Sequence, residues 1–156
     1  MNYVVEGPDG AGKSTLAALL SQRLKLPVIQ GEGPPRSITE FHDRVAKYER
    51  YDGVIFDRHP CISEDIYGPI MGRGSILTFN ERRNFFATNP FIVYVRPTTH
   101  ELRDHARHDH ESVEHHSRVA QHHREICVAY DHAMLDMAHY IYHRTDTHIA
   151  HLLVAA

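Results

Sequence analysis

The sequence predicts an α/β fold, a three-layer sandwich around a five-stranded parallel sheet. Two observations carry that reading. Short apolar runs of strand length, punctuated by Gly and Pro, alternate along the chain with segments whose apolar residues recur at helical spacing. Strands separated by helices pair in parallel, through right-handed crossovers. The 156 residues, 42% of them hydrophobic, are enough for one such domain with a real core. No period of 20 to 50 residues repeats, so a solenoid or propeller is excluded.

The first strand is read at 2–6, followed by a glycine-rich turn and a helix over 14–24, where Leu16, Leu19, Leu20 and Leu24 share helical spacing. A second strand follows at 27–30 and a Gly/Pro loop at 31–35. Ser37 and Glu40 have the spacing of a capping box, which predicts a helix from about 38 to 49. A buried strand is expected at 53–56. Residues 57–74 read as a polar, Gly-rich stretch, 80–87 as a helix, and 91–95 as a fourth strand stopped by Pro97. From 99 to 138 the pattern is mostly helical, interrupted near Asp109 and Ser112. A strand at 140–143 and a short closing helix complete the domain.

Composition removes several function classes. Lys and Arg number 17 against 20 Asp and Glu, a net charge of −3 that argues against coating nucleic acid by bulk electrostatics. The two cysteines, Cys61 and Cys127, form neither a disulfide framework nor a zinc ribbon and suit a reducing cytoplasm. No apolar stretch approaches the roughly 20 residues of a membrane helix, and no leader segment is apparent, so the expectation is a cytoplasmic protein that does not engage a membrane.

Gly7-Pro8-Asp9-Gly10-Ala11-Gly12-Lys13-Ser14 fits GxxxxGK[ST] and lies between an apolar strand and an amphipathic helix, the context its mechanism requires. Backbone N–H groups of such a loop turn inward around a triphosphate, and the helix N-terminus adds positive potential. Lys13 would neutralise the β/γ oxygens and the Ser14 hydroxyl would ligate Mg²⁺. Asp57 and Arg58 end a buried strand, where the acid can hold Mg²⁺ through water and the arginine can reach a transferring or accepting group. ATP and Mg²⁺ are therefore the expected cofactors. Gly7, Asp9, Gly10, Ala11, Gly12, Lys13, Ser14 and Thr15 are the candidate nucleotide-binding residues, with Ser14 and Asp57 holding the metal.

The run Val5-Glu6-Gly7-Pro8-Asp9-Gly10-Ala11-Gly12-Lys13-Ser14-Thr15 resembles the P-loop of thymidylate kinases, and Asp57-Arg58-His59-Pro60 resembles the DR motif of thymidylate and deoxynucleoside kinases. The resemblance implies an arginine-bearing lid after the fourth strand, which maps onto Arg96 and the segment 103–118. Arg103 and Arg107 are four apart on one helix face. This P-loop has no arginine of its own, so a lid arginine would supply charge stabilisation in the transition state. Arg144, Thr145 and Asp146 fall where such kinases hold the adenine.

Two departures bear on the acceptor. Thymidylate kinases carry an arginine just before the Glu-Pro of the loop after the second strand, gripping the acceptor phosphate; here the loop reads Gly31-Glu32-Gly33. Deoxynucleoside kinases use a glutamate of that loop as the base that takes a proton from a hydroxyl, and Glu32 matches it. Read without the resemblance, Glu32 is also simply a loop acid. The second departure is brevity: 43 residues separate Lys13 from Asp57, room for one helix where such kinases place several. The acceptor side is then expected to be open, which suits an acceptor that is part of a larger molecule. Phage kinases that phosphorylate 5-hydroxymethyluracil within DNA belong to this class and meet both conditions, with the base turned out of the duplex. Arg36, Arg44 and Arg73 would then touch DNA phosphates. That acceptor ranks first, which would place the protein in a phage host's cytoplasm.

The alternatives are a compact kinase of free nucleosides or nucleotides, closed by self-association into a homo-oligomer, and a nucleotide-binding regulatory module without transfer. Asp9 favours the former, since that acid contacts the sugar in thymidylate kinases. Thirteen of the fifteen histidines lie between His100 and His151, but neither HExxH nor HxxEH is met, so solvated helix histidines are preferred to a metal site. Phe85 and Phe86 are assigned to core packing before base stacking, and Phe41, Tyr48 and Tyr51 share the ambiguity.

Overall fold

A computed structural model describes residues 1–99 and 113–144. Five strands are present: β1 (Tyr3–Glu6), β2 (Val28–Gln30), β3 (Ile55–Asp57), β4 (Phe91–Arg96) and β5 (Tyr140–His143). The described helices are α1 (Lys13–Leu24), α2 (Ile38–Tyr48), α3 (Pro60–Ile70), α4 (Phe79–Ala87), α5 (Val113–Gln121) and α6 (His123–Met134). All four strand pairings are parallel, in the order β2-β3-β1-β4-β5. The chain moves from β1 to one side and then crosses to the other, so the direction of winding reverses around β1. Open α/β sheets bind ligands at the carboxyl ends of strands where that reversal falls.

Alternation along the strands divides the core in two. Tyr3, Val5, Ile55, Val93 and Val95 meet Leu16, Ala17 and Leu20 of α1 on one face. Val4, Phe56, Ile92 and Tyr94 meet α2, α3 and α6 on the other, through Phe41, Tyr48, Ile62, Ile66, Ile126 and Tyr130. Helices therefore cover both faces of the sheet, the three-layer arrangement expected. Phe85 and Phe41 are core residues, Phe86 is partly exposed, and Tyr48 stacks on Phe56 at 5.2 Å between centroids.

The main correction concerns residues 57–74, which fold as helix α3 and a tight turn. Pro60 stands in its first turn, where the missing N–H is harmless, and His59 caps it by accepting from Cys61 N at 3.2 Å. Gly68, Gly72 and Gly74 gather at its far end and obscure the apolar spacing of Ile62, Ile66 and Tyr67. The box expected at α2 is half formed: Ser37 accepts from Glu40 N, but Glu40 accepts from Arg36 N. A complete capping box instead opens α4, between Thr78 and Glu81. The helical region read over 99–138 is described only from Val113, where it breaks at His122 and ends at Met134. The interruption expected near Asp109 and Ser112, and the closing helix, lie outside the described residues.

Candidate active site

The P-loop is shaped by where it must pass. Gly7 has φ 153°, and a Cβ there would lie 2.4 Å from the Val95 carbonyl oxygen, so only glycine lets the loop leave β1 against β4. Gly12 precedes α1 at φ 99°, and no side chain caps that helix. Its first N–H groups are left for an anion. Lys13 is buried and donates to the Pro8 carbonyl at 2.8 Å. Burial, then Arg58, pulls its ammonium down to about 8, while Asp9, Asp57 and Glu6 draw it the other way.

A cavity of about 390 Å³ opens in front of this loop. Asp9, Gly10, Gly12, Lys13, Ser14, Thr15, Glu32, Asp57, Arg58 and Arg144 all line it, so most of the residues expected from sequence come together. Gly7 and Ala11 do not reach its wall; Gly7 packs on Val95 and Ala11 joins the α1 core. Arg103, Arg107, Thr145 and Asp146 lie outside the described residues. The Arg144 stem passes over Gly12, 3.8 Å from where a Cβ would stand.

Asp57 is brought beside the loop by register, since it pairs with Val5 across β3 and β1. It is buried and lines the cavity; its carbonyl accepts from Gly31 N at 2.9 Å, while its carboxylate makes no hydrogen bond within the described residues. Together with the Ser14 hydroxyl it fits Mg²⁺, which binds through one or two protein oxygens, waters and substrate phosphates. Among the described residues no three His, Cys, Asp or Glu side chains gather into a metal site; His105, His108 and His110 lie outside them.

Arg58 has a left-handed backbone, φ 75°, costly for a residue with a Cβ. Its N–H donates to Val5 O at 3.0 Å, its guanidinium reaches Asp9 at 2.6 Å, and it lies 5.0 Å from the Tyr67 ring centre. Burial works against its charge, but Asp9 and the surrounding phenols hold the group well above its ordinary value. Tyr67 donates to the other Asp9 oxygen at 2.6 Å. Burial pushes the Tyr67 and Tyr130 phenols up, so both remain O–H donors.

Residues of α2 and α3, with the loop at 31–34, line the rest of the cavity. Glu32 pairs with Lys47 at 2.8 Å and lies 3.9 Å from Arg44 Nε. Arg44 is buried and donates to Gly33 O and to Glu40. Arg73 binds Glu64 through two hydrogen bonds, 2.7 and 3.0 Å. Two of the three arginines expected to touch DNA are thus engaged inside the protein; Arg36 is exposed. Arg96 binds both oxygens of Asp131, and Arg118 donates to Met71 O at 2.8 Å, so these two arginines fasten helices to the body.

Sequence reasoning missed Tyr67 and Glu64 as wall residues, because both sit in the stretch read as polar and Gly-rich. The signal was present in the helical spacing of Ile62, Ile66 and Tyr67 after His59-Pro60.

No family model matches the sequence, and no curated protein matches it. Among solved structures, the YorR protein from Bacillus subtilis in complex with phosphorylated GDP is 24% identical, with a TM-score of 0.58 over 92% of this chain and 85% of that one. Deoxyadenosine kinase from M. mycoides with bound dATP is 14% identical, TM-score 0.57, over 99% and 98%. The same enzyme with its products dCMP and a flexible dCDP also gives 14% and 0.57, over 91% and 89%. The likeness is one of fold: these proteins and this chain share a five-stranded parallel sheet flanked by helices. No described helix is long and apolar enough to cross a membrane.

Proposed function

We propose that the protein is a Mg²⁺-dependent phosphotransferase that moves the γ-phosphate of ATP to a small nucleoside-type acceptor. The observation that carries this is the cavity itself: one cavity of about 390 Å³ is lined together by the phosphate loop, Asp57 and Arg58, Glu32, Tyr67 and the Arg73–Glu64 pair. That volume lies within the range of small-molecule sites. Lys13 and the loop amides hold the β- and γ-phosphates. Ser14 and Asp57 would hold Mg²⁺, which supplies neutralisation of phosphate charge. Arg58 meets the transferring group, and Arg144 covers the loop from the side where adenine sits in similar kinases. With a hydroxyl acceptor, its oxygen bonds to the γ-phosphorus, the bond to the bridging oxygen breaks to leave ADP, and Glu32 takes the hydroxyl proton. Lid arginines at 103 and 107 would add to the charge stabilisation.

A 5-hydroxymethyluracil base in DNA is the second acceptor reading, supported by the single helix between β2 and β3. The engagement of Arg44 and Arg73 with internal carboxylates and carbonyls favours the free acceptor. Incubation with ATP labelled at the γ-position and a panel of deoxynucleosides, deoxynucleoside monophosphates and hydroxymethyluracil-containing DNA tests both. Label on a free nucleoside or nucleotide is expected. Label on DNA alone would transfer the assignment to the second reading, and no acceptor-dependent label would leave a nucleotide-binding module.

A further inference from the structure

Behind the cavity wall lies a carboxylate that the transfer scheme does not use. Glu6 ends β1 and is fully buried. One oxygen accepts from the His59 backbone N–H at 2.6 Å and the other from the Tyr130 hydroxyl at 2.9 Å. Neither Glu6 nor Tyr130 lines the cavity. Burial of an acid without a directly bonded cation is unfavourable, and it is tolerated where the acid has fixed donors and charges close by.

The direction of the hydrogen bonds is dictated by the groups. A guanidinium can only donate, so at 3.4 Å the Tyr130 oxygen accepts from Arg58 Nη1, and its single O–H is left to donate to Glu6. Arg58 thus sits at the head of a one-way chain that ends on a buried carboxylate. The same carboxylate fixes the backbone of the next residue, His59. This matters because Arg58 holds a left-handed φ of 75° that a flexible turn would relax. Asp9 and Tyr67 constrain the guanidinium from the cavity side, and Glu6 and Tyr130 from behind.

We infer that Glu6 and Tyr130 are positioning residues that hold Arg58 at its working angle, linking helix α6 to the phosphate site. The inference rests on the proposed phosphotransfer for its rate effect, but not for its structural effect. Glu6 and Tyr130 hold Arg58 from behind the wall without lining the cavity, so part of its geometry is set by atoms that do not face substrate. Such pre-set geometry raises the rate of transfer without adding affinity for the donor.

The test uses Tyr130→Phe, Glu6→Gln and the double variant, with two readouts. In steady-state kinetics, Tyr130→Phe is expected to lower kcat by between about 10-fold and about 10²-fold with KM for ATP unchanged. The double variant is expected to be no worse than the more impaired single one, because both break one chain. In the nucleotide-free protein, the side-chain NMR signal of Arg58, assigned with Arg58→Lys, is expected to shift and broaden in Tyr130→Phe while that of Arg96 stays in place. If Glu6→Gln does not fold, Tyr130→Phe decides alone. An unchanged Arg58 signal, or additive losses in the two variants, would overturn the inference. A perturbed Arg58 signal in a protein that transfers no phosphate would refute the proposed function and leave the positioning intact.

Discussion

Lys13 illustrates how one buried cation sets a pH dependence. Its ammonium, held down to about 8 by burial and by Arg58, loses its proton as pH rises through that value. A bound triphosphate favours the charged form, so nucleotide binding is linked to proton uptake near pH 8. The dissociation constant of ATP is expected to be flat below pH 7 and to weaken progressively above pH 8. Calorimetry in buffers of different ionisation enthalpy checks this, and proton release on binding would contradict it. His59 acts on stability. Buried among Phe56, Phe85 and Tyr48, its imidazole is pushed down to about 3. Between that value and the unfolded pKa of about 6.5, the unfolded chain binds one more proton than the folded one. Stability is therefore expected to fall below pH 6.5, by up to about 1.4 kcal/mol per pH unit from this group. His59→Asn keeps a cap acceptor for Cys61 and should flatten that acid limb while lowering stability at pH 7. An equally steep limb in urea unfolding at pH 5 and 7 would remove the assignment.

At the scale of elements, helix α3 lines the cavity on the side proposed for the acceptor and depends on Gly68. A Cβ there would stand 2.5 Å from the Gly74 carbonyl oxygen and 3.0 Å from Glu64 Oε1. Gly68→Ala should therefore push the turn away and disturb the Arg73–Glu64 pair. The expected loss is about 1–3 kcal/mol of stability, with acceptor KM raised and ATP affinity kept. Thermal unfolding and kinetics together check it; a weakened ATP affinity with an unchanged acceptor KM would place α3 elsewhere in the account. The same helix marks the limit of what could be read beforehand. β1, β3 and β4 announce themselves as apolar runs because both faces of a parallel strand are buried. Helix α1 follows from its leucines. Helix α3 hides its period behind three glycines, Gly68 in its last turn and Gly72 and Gly74 in the chain that follows it. The half-formed box at Ser37 and the full one at Thr78 differ only in which N–H the glutamate reaches, and sequence spacing does not distinguish them.

Across the whole molecule, the phosphate loop and the Asp57-Arg58 pair were legible because their chemistry is local and their flanking strands fix them side by side. The rear support of the site was not. Glu6 and Tyr130 are 124 residues apart, and only the packing of α6 against the sheet brings them together. The same holds for Arg44 and Arg73, which read as free surface cations and fold into internal pairs because α2 and α3 present carboxylates or carbonyls to them. What the fold assembles is one cavity lined by the glycine-rich loop, Asp57, Arg58 and residues of α2 and α3, and the proposed function requires phosphoryl transfer inside it. Acceptor-dependent release of ADP by the wild-type protein, measured beside a folded Lys13→Ala variant, tests that claim most directly. ADP formation is expected to need both Mg²⁺ and a nucleoside-type acceptor and to fall by at least about 10²-fold in Lys13→Ala. Equal ADP formation by the two proteins, or none from the wild type with any acceptor, would contradict it.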